Sequence, residues 1–328
     1  MMFKGIAAFM LLAGSMSAQA ASFYNCASNT GCVKSTVATT STYTQTRYPV
    51  VFAHGMAGFN SLAGVNYWYQ IPEALAAGGA TVFVTKQASF NSSDVRGEQF
   101  RQQVLGILAL TGAPRVNIMG HSHGGQSIRY ALATLPSGTV ASVTSIGSPH
   151  KGSPVADLIQ QVANNPSLGG LTGALSTAVN GLGSLINLLS GNDPALKQDS
   201  LAGLASLSTA GSAEFNARFP LGVPATACGE GSYTARGAQL YSWSGTGGVT
   251  NALDPLDQGL NALKIVFKEP SDGLVGQCSS HFGRVLRDNY NMNHLDEVNQ
   301  LLGLVSLLET NPKTVYRTQT SRLKLQGL

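Results

Sequence analysis

Residues 120–124 read Gly-His-Ser-His-Gly, which matches the G-x-S-x-G pattern of a nucleophilic serine. The motif follows a short apolar run at residues 116–119 that predicts a strand, and it precedes a predicted helix at residues 126–135. Glycines on both sides of the serine permit a tight turn, and the N-terminus of the following helix stabilises negative charge. The motif therefore predicts a nucleophile elbow in which Ser122 is the attacking residue.

A second motif, His54-Gly55-Met56, follows the first predicted strand at residues 48–53. Hydrolases with a nucleophile elbow place one backbone donor of the oxyanion hole after an early strand and the other on the residue after the nucleophile. Two such amides stabilise the negative oxygen of a tetrahedral intermediate. We therefore expect the amides of Met56 and His123 to form the oxyanion hole.

The general base is expected to be a histidine that follows Ser122, because the chain order of this arrangement is serine, acid, histidine. His150 directly follows the fourth predicted strand, at residues 140–146, which leaves no strand for an acid between them. His281 and His294 remain. His294 is favoured because it begins the last polar loop before a predicted terminal helix at residues 297–308.

The acid that orients the base is less determined by spacing, since several aspartates lie between Ser122 and His294. Asp272 is favoured because it begins an Asp-Gly turn after a strand-like run at residues 263–267. A carboxylate at the end of a strand can hold one imidazole tautomer. Asp254 is the second choice, and the remaining candidates are Asp257 and Asp288.

Strands and helices alternate over the first half of the chain, and this alternation predicts an α/β fold with a mainly parallel sheet covered by helices on both faces. The pattern stops after Lys151. Residues 154–211 are rich in Ala, Leu, Gly and Ser, and they predict a helical insertion that covers the site as a lid and binds lipid when it opens. Further elements are predicted at residues 68–77 (helix), 80–85 (strand), 94–111 (helix) and 239–244 (strand).

The N-terminus has the pattern of an export signal. Lys4 is followed by an apolar run at residues 6–13, and Ala18-Gln19-Ala20 fits the small-x-small cleavage pattern. We expect a signal peptide at residues 1–20, a polar and poorly ordered leader at residues 21–40, one catalytic domain at residues 41–328, and secretion through the periplasm. The formal charge of +4 is scattered over 328 residues, which argues against a nucleic-acid partner.

Four cysteines in an exported chain indicate disulfides. Three pairings are open, and we favour Cys228 with Cys278 and Cys26 with Cys32. The pair of Cys26 and Cys32 is the less secure of the two, because it lies in the polar leader.

From residue 41 to the C-terminus the chain resembles the bacterial true lipases of the Pseudomonas and Burkholderia type, which depend on a foldase. The leader with Cys26 and Cys32 departs from this resemblance. The residues that carry it are Ser41-Thr-Tyr-Thr-Gln-Thr-Arg-Tyr-Pro, Ala53-His-Gly-Met, Tyr67-Trp, Val95-Arg-Gly-Glu-Gln, Gly120-His-Ser-His-Gly-Gly, Ser148-Pro-His-Lys-Gly-Ser, Ala227-Cys-Gly-Glu-Gly, Asp272-Gly-Leu-Val-Gly and Asp288-Asn-Tyr-Asn-Met-Asn-His-Leu-Asp-Glu-Val-Asn-Gln.

The resemblance implies an α/β-hydrolase fold and triacylglycerol hydrolysis at a lipid–water interface. It implies a lipase-specific foldase as a partner, and it also implies the disulfide between Cys228 and Cys278. It also implies one structural calcium ion. The site residues that it implies are the triad Ser122, Asp272 and His294, the oxyanion donors Met56 and His123, and the calcium ligands Asp254, Asp296, Gln300 and Leu304, the last two through their carbonyl oxygens.

Two other functions are weighed against a lipase. A carboxylesterase, a thioesterase or a polyester depolymerase would use the same fold and triad on other esters. An inactive binding protein or adhesin of the same fold would need neither the triad nor the oxyanion motifs, and the presence of both argues against it.

Overall fold

A computed structural model describes residues 21–27, 31–58, 66–164 and 196–328. The strands of these residues form one sheet, and their order across it is β2-β1-β4-β3-β5-β6-β8-β7, with β9 also paired to β8. The strands are β1 Ala21–Ala27, β2 Gly31–Val37, β3 Val50–Ala53, β4 Val82–Val84, β5 Val116–His121, β6 Val140–Ile146, β7 Thr234–Ala235, β8 Ala238–Gly245 and β9 Arg284–Tyr290.

Neighbouring strands are parallel except for the pairs β1–β2 and β7–β8. The predicted α/β class with a mainly parallel sheet is therefore confirmed. The carboxyl ends of the parallel strands meet at one edge of the sheet, which is where such sheets bind their ligands. The nucleophile motif after β5 and the loops after β3, β8 and β9 all leave the sheet at this edge.

Helices cover both faces of the sheet. Alternate residues of a strand point to opposite faces, and β3 accordingly sends Val50 and Phe52 into one apolar core and Val51 into the other. The first core contacts α1 and α8, and the second contacts α2 and α3. The helices are α1 Ile71–Ala77, α2 Ser93–Thr111, α3 Gly124–Thr134, α4 Pro154–Asn164, α5 Ser200–Leu207, α6 Thr209–Arg218, α7 Asp257–Leu263 and α8 Pro312–Leu325.

The expectation of a poorly ordered leader at residues 21–40 is wrong, because β1 and β2 extend the sheet there. β1 pairs in parallel with β4 and in antiparallel with β2. Phe23 is buried in the core that contacts α1, and the ring of Tyr24 stacks on Phe83 at 4.5 Å. The polar composition concealed these apolar anchors, which bury enough surface to order the hairpin.

Two predicted elements near the C-terminus are also wrong. Residues 263–267 do not form a strand, because Leu260 and Leu263 lie on one buried face of α7 and a 3-10 turn, Lys264–Val266, follows. Five apolar residues are compatible with either structure, and tertiary packing decides between them. Residues 297–308 do not form an α-helix, since their helical part is limited to the end of a 3-10 turn, Asp296–Val298. Asn299 and Leu302 adopt positive φ angles of 63° and 54°, which end any α-helix there.

Both favoured disulfides are formed. Cys26 and Cys32 are direct partners across the β1–β2 ladder, and Cys228 is bonded to Cys278. The expected signal peptide lies outside the described residues, as do residues 165–195 of the expected lid. In the part of the chain that the structure describes, no helix is both long and apolar enough to span a membrane.

Candidate active site

Ser122 lies on the tight turn between β5 and α3. Its φ angle is 56°, and its amide donates to the carbonyl of Ile146 on β6 at 2.9 Å. The two glycines of the motif have no room for a side chain. A Cβ on Gly120 would lie 2.4 Å from the carbonyl oxygen of Gly124, and a Cβ on Gly124 would lie 2.1 Å from the carbonyl oxygen of Ala53. This geometry holds a serine in a strained conformation where its side chain reaches the cavity beside it.

The loop after β3 packs directly against this serine. A Cβ on Gly55 would lie 2.8 Å from the Cβ of Ser122, so only glycine fits there. Met56 lines the same cavity as Ser122. Among the described residues, the amides of Met56 and His123 have no hydrogen-bond acceptor. Two amides without an acceptor on either side of a nucleophile can stabilise an oxyanion.

His54 and Arg96 hold this loop in place, and sequence reasoning assigned neither of them a role. The Nδ1–H of His54 donates to the carbonyl of Gly55 at 2.8 Å, and its Nε2 accepts the amide of Gln87 at 3.0 Å. Burial and the charge of Arg96 lower the pKa of His54 to about 3, so the ring is neutral. The guanidinium of Arg96 donates to the carbonyl oxygens of His54 and Gly55 at 2.6 Å and 3.0 Å.

His294 and Asp272 form a buried pair at the same cavity. The Nδ1 of His294 lies 2.7 Å from Oδ2 of Asp272, and the amide of His294 donates to the Asp272 carbonyl at 3.0 Å. The other carboxylate oxygen accepts the amides of Leu274 and Val275 at 2.8 Å and 2.7 Å. Asp272 lies on a turn rather than after a strand, because Ser271 and Gly276 form an isolated antiparallel bridge around it. An imidazole whose Nδ1–H is held in this way presents Nε2 as a base.

The other candidates of the sequence analysis lie elsewhere. His281 contacts Asp288 at 2.9 Å and is not part of the cavity wall. His150 is buried between Ser145, whose Oγ is 2.7 Å from Nε2, and Arg129. Burial and the charge of Arg129 lower the pKa of His150 well below its ordinary value. Asp254 and Asp257 belong to an acidic cluster with Asp296.

A chain of buried polar groups that the sequence analysis missed lies next to His294. The hydroxyl of Tyr67 accepts the amide of Gly55 at 3.2 Å and lies 2.6 Å from Nδ1 of His121. The Nε2 of His121 lies 3.2 Å from Oε2 of Glu297. The amide of Gly245 donates to the other oxygen of Glu297 at 2.6 Å. Burial raises the pKa of Glu297 well above its ordinary value, and Asp272 adds to this effect.

The cavity itself is apolar. Its volume is about 80 Å³, far below the ~300–1,000 Å³ of typical ligand pockets. Helices α4 and α5 form one wall of it with Val155, Ala156, Ile159, Leu204 and Leu207. The helices themselves pack together through Ala156, Leu204 and Leu207.

The acidic cluster lies beside the loop of His294. Carboxylate oxygens of Asp254, Asp257 and Asp296 lie within 4.8 Å of one another. The oxygens of Asp257 are occupied by hydrogen bonds, including the amides of Thr250 and Asn251 at 2.6 Å and 2.7 Å.

Asp296 is less satisfied than its neighbour in the cluster, because its Oδ1 is buried and has no partner among the described residues. Burial raises the pKa of Asp296 to about 7, and the two neighbouring carboxylates contribute to the same shift. The amide of Leu301 donates to Asp254 at 3.2 Å and thereby brings the segment that begins at Gln300 to the cluster.

Comparisons with known proteins agree with this arrangement. A family model described as alpha/beta hydrolase fold matches residues 48–259. A triacylglycerol lipase of Vibrio cholerae is 53% identical over 286 residues, which cover 87% of this chain and 90% of that protein. A triacylglycerol lipase of Burkholderia plantarii is 40% identical over 324 residues, which cover 88% of each chain. The crystal structure of a mature Bacillus licheniformis lipase has a similar fold, with a TM-score of 0.57 at 16% identity over 84% of this chain and 92% of that one.

Proposed function

The chain belongs to the α/β-hydrolase family and, within it, to the bacterial triacylglycerol lipases, and from this premise we propose that it hydrolyses the ester bonds of triacylglycerols through an acyl-enzyme on Ser122. The observation that carries the proposal is the buried pair of His294 and Asp272, which shares one apolar cavity with Ser122. A nucleophile, an oriented base and an apolar surface for acyl chains are what this reaction requires.

The reaction proceeds in two halves. In the first, Nε2 of His294 takes the proton of the Ser122 hydroxyl while Oγ bonds to the ester carbonyl carbon. The carbonyl oxygen becomes an oxyanion, which accepts hydrogen bonds from the amides of Met56 and His123. When the intermediate collapses, the bond from the carbonyl carbon to the alcohol oxygen breaks, and His294 donates its proton to that oxygen.

In the second half, water replaces the alcohol. His294 takes a proton from the water, whose oxygen bonds to the acyl carbon, and then returns that proton to Oγ of Ser122 as the fatty acid leaves. Asp272 holds the tautomer of His294 that carries its proton on Nδ1, and it stabilises the imidazolium that forms. The 2.7 Å contact with His294 and the two backbone amides on the opposite oxygen support this role.

The buried cation of Arg96 serves the oxyanion loop. Its hydrogen bonds to the carbonyls of His54 and Gly55 fix the backbone directly before Met56, whose amide is left for the substrate. Burial lowers the pKa of Arg96 to about 9, and the group still stays protonated at neutral pH. A donor that is fixed before the reaction costs no reorganisation when charge develops.

Helices α4 and α5 form the described part of the lid. Their apolar side chains face Ser122 across a cavity of about 80 Å³, which is too small for a long acyl chain. They must therefore move before a triacylglycerol can enter. Separation of the helices exposes apolar surface, and this exposure is favourable at an oil surface and unfavourable in water. This requirement favours a lipase over a carboxylesterase or a polyester depolymerase.

One calcium ion fits the acidic cluster. Oδ1 of Asp296 is buried and has no partner among the described residues, and the carboxylate of Asp254 is adjacent to it. Both are hard oxygen donors that favour a positive charge. Asp254 and Asp296 would hold the ion together with the carbonyl oxygens of Gln300 and Leu304. When bound, the ion would supply charge neutralisation and a link between two loops, and it would take no part in bond breaking. Asp296 follows His294 by two residues, so this link would hold the loop of the general base.

The protein is proposed to be secreted and to need a foldase. An export pattern at residues 1–20 and two disulfides support secretion, since disulfides persist in oxidising compartments. The foldase rests on the family resemblance alone. We expect the chain to accumulate in an inactive form without a cognate chaperone, and full activity after unassisted refolding would contradict this.

Replacement of the nucleophile tests the proposed reaction. Ser122→Ala removes the hydroxyl without leaving a large cavity, so we expect an unchanged melting temperature and a loss of at least about 10⁴-fold in tributyrin hydrolysis. A long-chain organophosphonate should label the wild type covalently and leave the variant unlabelled. Turnover in the variant would refute the assignment of Ser122. Hydrolysis of soluble p-nitrophenyl acetate without any hydrolysis of emulsified tributyrin would favour the esterase alternative.

A further inference from the structure

Two segments that take no part in bond breaking lie at the edge of the sheet where Ser122 lies. Residues 246–256 follow β8, and residues 299–308 follow the loop of His294, which begins after β9. The loops pack side by side, since the amide of Leu301 donates to Asp254 at 3.2 Å and the Asn251 side chain donates to the carbonyl of Val305 at 3.1 Å. They therefore form one surface on both sides of the acidic cluster.

Large apolar side chains on this surface point into solvent. The exposed fractions are 78% for Leu253, 93% for Leu307 and 99% for Leu308, and Leu302 is half exposed. Isolated exposed leucines are ordinary, but several on adjoining loops mark a site of interaction. We call these four leucines the loop leucines.

The charge of the two loops indicates what kind of partner binds to them. Residues 245–253 and 299–308 contain no Asp, Glu, Lys or Arg, and the carboxyl group between the two segments, that of Asp254, is buried. The charges that border the two segments are paired or bonded, since Lys264 donates to the carbonyl of Thr246 at 2.7 Å and Glu309 pairs with Arg287 at 2.7 Å. Segments without charge of their own offer a protein partner little electrostatic selection, whereas their exposed leucines gain free energy when they enter an oil phase. The backbone there is constrained by the hydrogen bonds between the loops, so little conformational entropy is lost on binding.

An apolar cluster connects the wall of the cavity to the end of the first loop. Leu295, next to His294, lines the cavity and packs in a cluster with Leu260 and Leu263. Leu256, the last residue of the loop after β8, packs against the same cluster. The cluster therefore fixes the end of this loop to the wall of the substrate cavity.

We propose that the loop leucines are a fixed anchor that inserts into the surface of a triacylglycerol droplet, separate from the lid. This inference rests on the proposed lipase function, and it adds a binding site that does not move. The anchor holds the carboxyl edge of the sheet, and with it Ser122, against the oil while the lid helices open. Partition of the closed enzyme to the droplet therefore depends on the loops.

The test compares the double variant Leu307→Asp/Leu308→Asp with Leu325→Asp. Leu325 is a matched control, because it is 83% exposed and lies at the end of α8, near the amino edge of the sheet rather than the carboxyl edge. The nearby C-terminal carbonyl of Leu328 accepts the amide of Arg47, which precedes the amino end of β3. Binding to triolein droplets is measured by sedimentation, with each change made in a Ser122→Ala background so that the droplets stay intact.

We expect the double variant to bind droplets at least about tenfold more weakly than its parent, and the Leu325→Asp control to bind like its parent. With Ser122 restored, the double variant should hydrolyse soluble p-nitrophenyl acetate at the parental rate and retain the parental melting temperature. Hydrolysis of a dilute triolein emulsion should fall with binding, and saturating emulsion should recover it.

Three results would overturn the anchor. The first is equal droplet binding by the double variant and the control. The second is a parallel loss on p-nitrophenyl acetate, which would mean that the loops act through His294. The third is normal droplet binding by the double variant together with a reduced yield of folded enzyme that appears only when a foldase is coexpressed. This result would make the surface a contact with a protein. Failure of the parent to hydrolyse any triacylglycerol, with droplet binding intact, would instead count against the proposed function.

Discussion

Two histidine–aspartate pairs in the described part of the chain have nearly the same distance and different surroundings. His294 lies 2.7 Å from Asp272, and His281 lies 2.9 Å from Asp288. In the first pair Nδ1 contacts the carboxylate and Nε2 has no partner among the described residues. In the second pair both nitrogens are engaged, because Nδ1 also contacts the carbonyl of Gly229 at 2.9 Å.

The surroundings of the two carboxylates differ as well. Asp272 is fully buried and its second oxygen accepts two backbone amides, whereas the side chain of Asp288 is 29% exposed. A histidine–carboxylate contact alone therefore does not identify the proposed general base. Among the described residues, the pair of His294 is distinguished by an unengaged ring nitrogen and by a cavity that His294 shares with Ser122, the proposed nucleophile.

The largest expected effect separates the two histidines directly. His294→Asn removes the atom that takes the proton of Ser122, and kcat/KM should fall by about 10⁴-fold or more. His281→Asn should leave kcat/KM within about threefold, because the ring has no free nitrogen near the substrate. Both variants are assayed on soluble p-nitrophenyl acetate after their melting temperatures have been measured. Equal losses in the two variants would remove the distinction.

Metal removal should affect the loop of His294, and it should thereby further distinguish His294 from His281. An ion that binds only the folded state stabilises it by about 2.7 kcal/mol at a hundredfold excess over Kd. Chelation with EDTA should therefore lower the melting temperature and reduce activity, and Asp296→Asn should reproduce both effects and respond little to EDTA.

Asp288→Asn is the matched control for this experiment, since Asp288 is a carboxylate outside the acidic cluster, and it should respond to EDTA like the wild type. The calcium site would be refuted if EDTA left the wild-type melting curve unchanged and elemental analysis found no metal.

The smallest expected effect is a loss of stability at acidic pH that depends on His54. The pKa of His54 is about 3 in the folded protein and about 6.5 in an unfolded chain. Between these values the unfolded state binds more protons, so stability is complete above pH 6.5 and falls as the pH decreases. At pH 5 the loss from this residue is about 2 kcal/mol.

The acid prediction is checked with His54→Gln, whose side-chain amide can donate to the Gly55 carbonyl and accept from Gln87. The variant should show a smaller drop in melting temperature from pH 7 to pH 5 than the wild type shows. An identical drop in both proteins would mean that His54 does not control the acid sensitivity of the oxyanion loop.

The elements that position the nucleophile could be predicted from local sequence. The strands around Val51, Phe83, Ile118 and Val143 are short apolar runs between turn residues, and the structure has a strand at each. The turn around Ser122 was predictable for a similar reason, since only glycine tolerates the close approaches on either side of it. In these regions the local pattern and the tertiary environment agree.

Only the tertiary structure decided the remaining features. The run at residues 263–267 suits a strand or a helix equally, and packing of Leu260 and Leu263 against Leu295 selects a helix that ends at Leu263 and is followed by a 3-10 turn. The leader became two strands because Phe23 and Tyr24 find apolar partners in a sheet that forms far along the chain. The four aspartates considered as the acid are chemically alike in sequence. They differ only in the folded molecule, where burial, backbone amides and a neighbouring ring determine which carboxylate faces His294, which faces His281 and which belong to the acidic cluster.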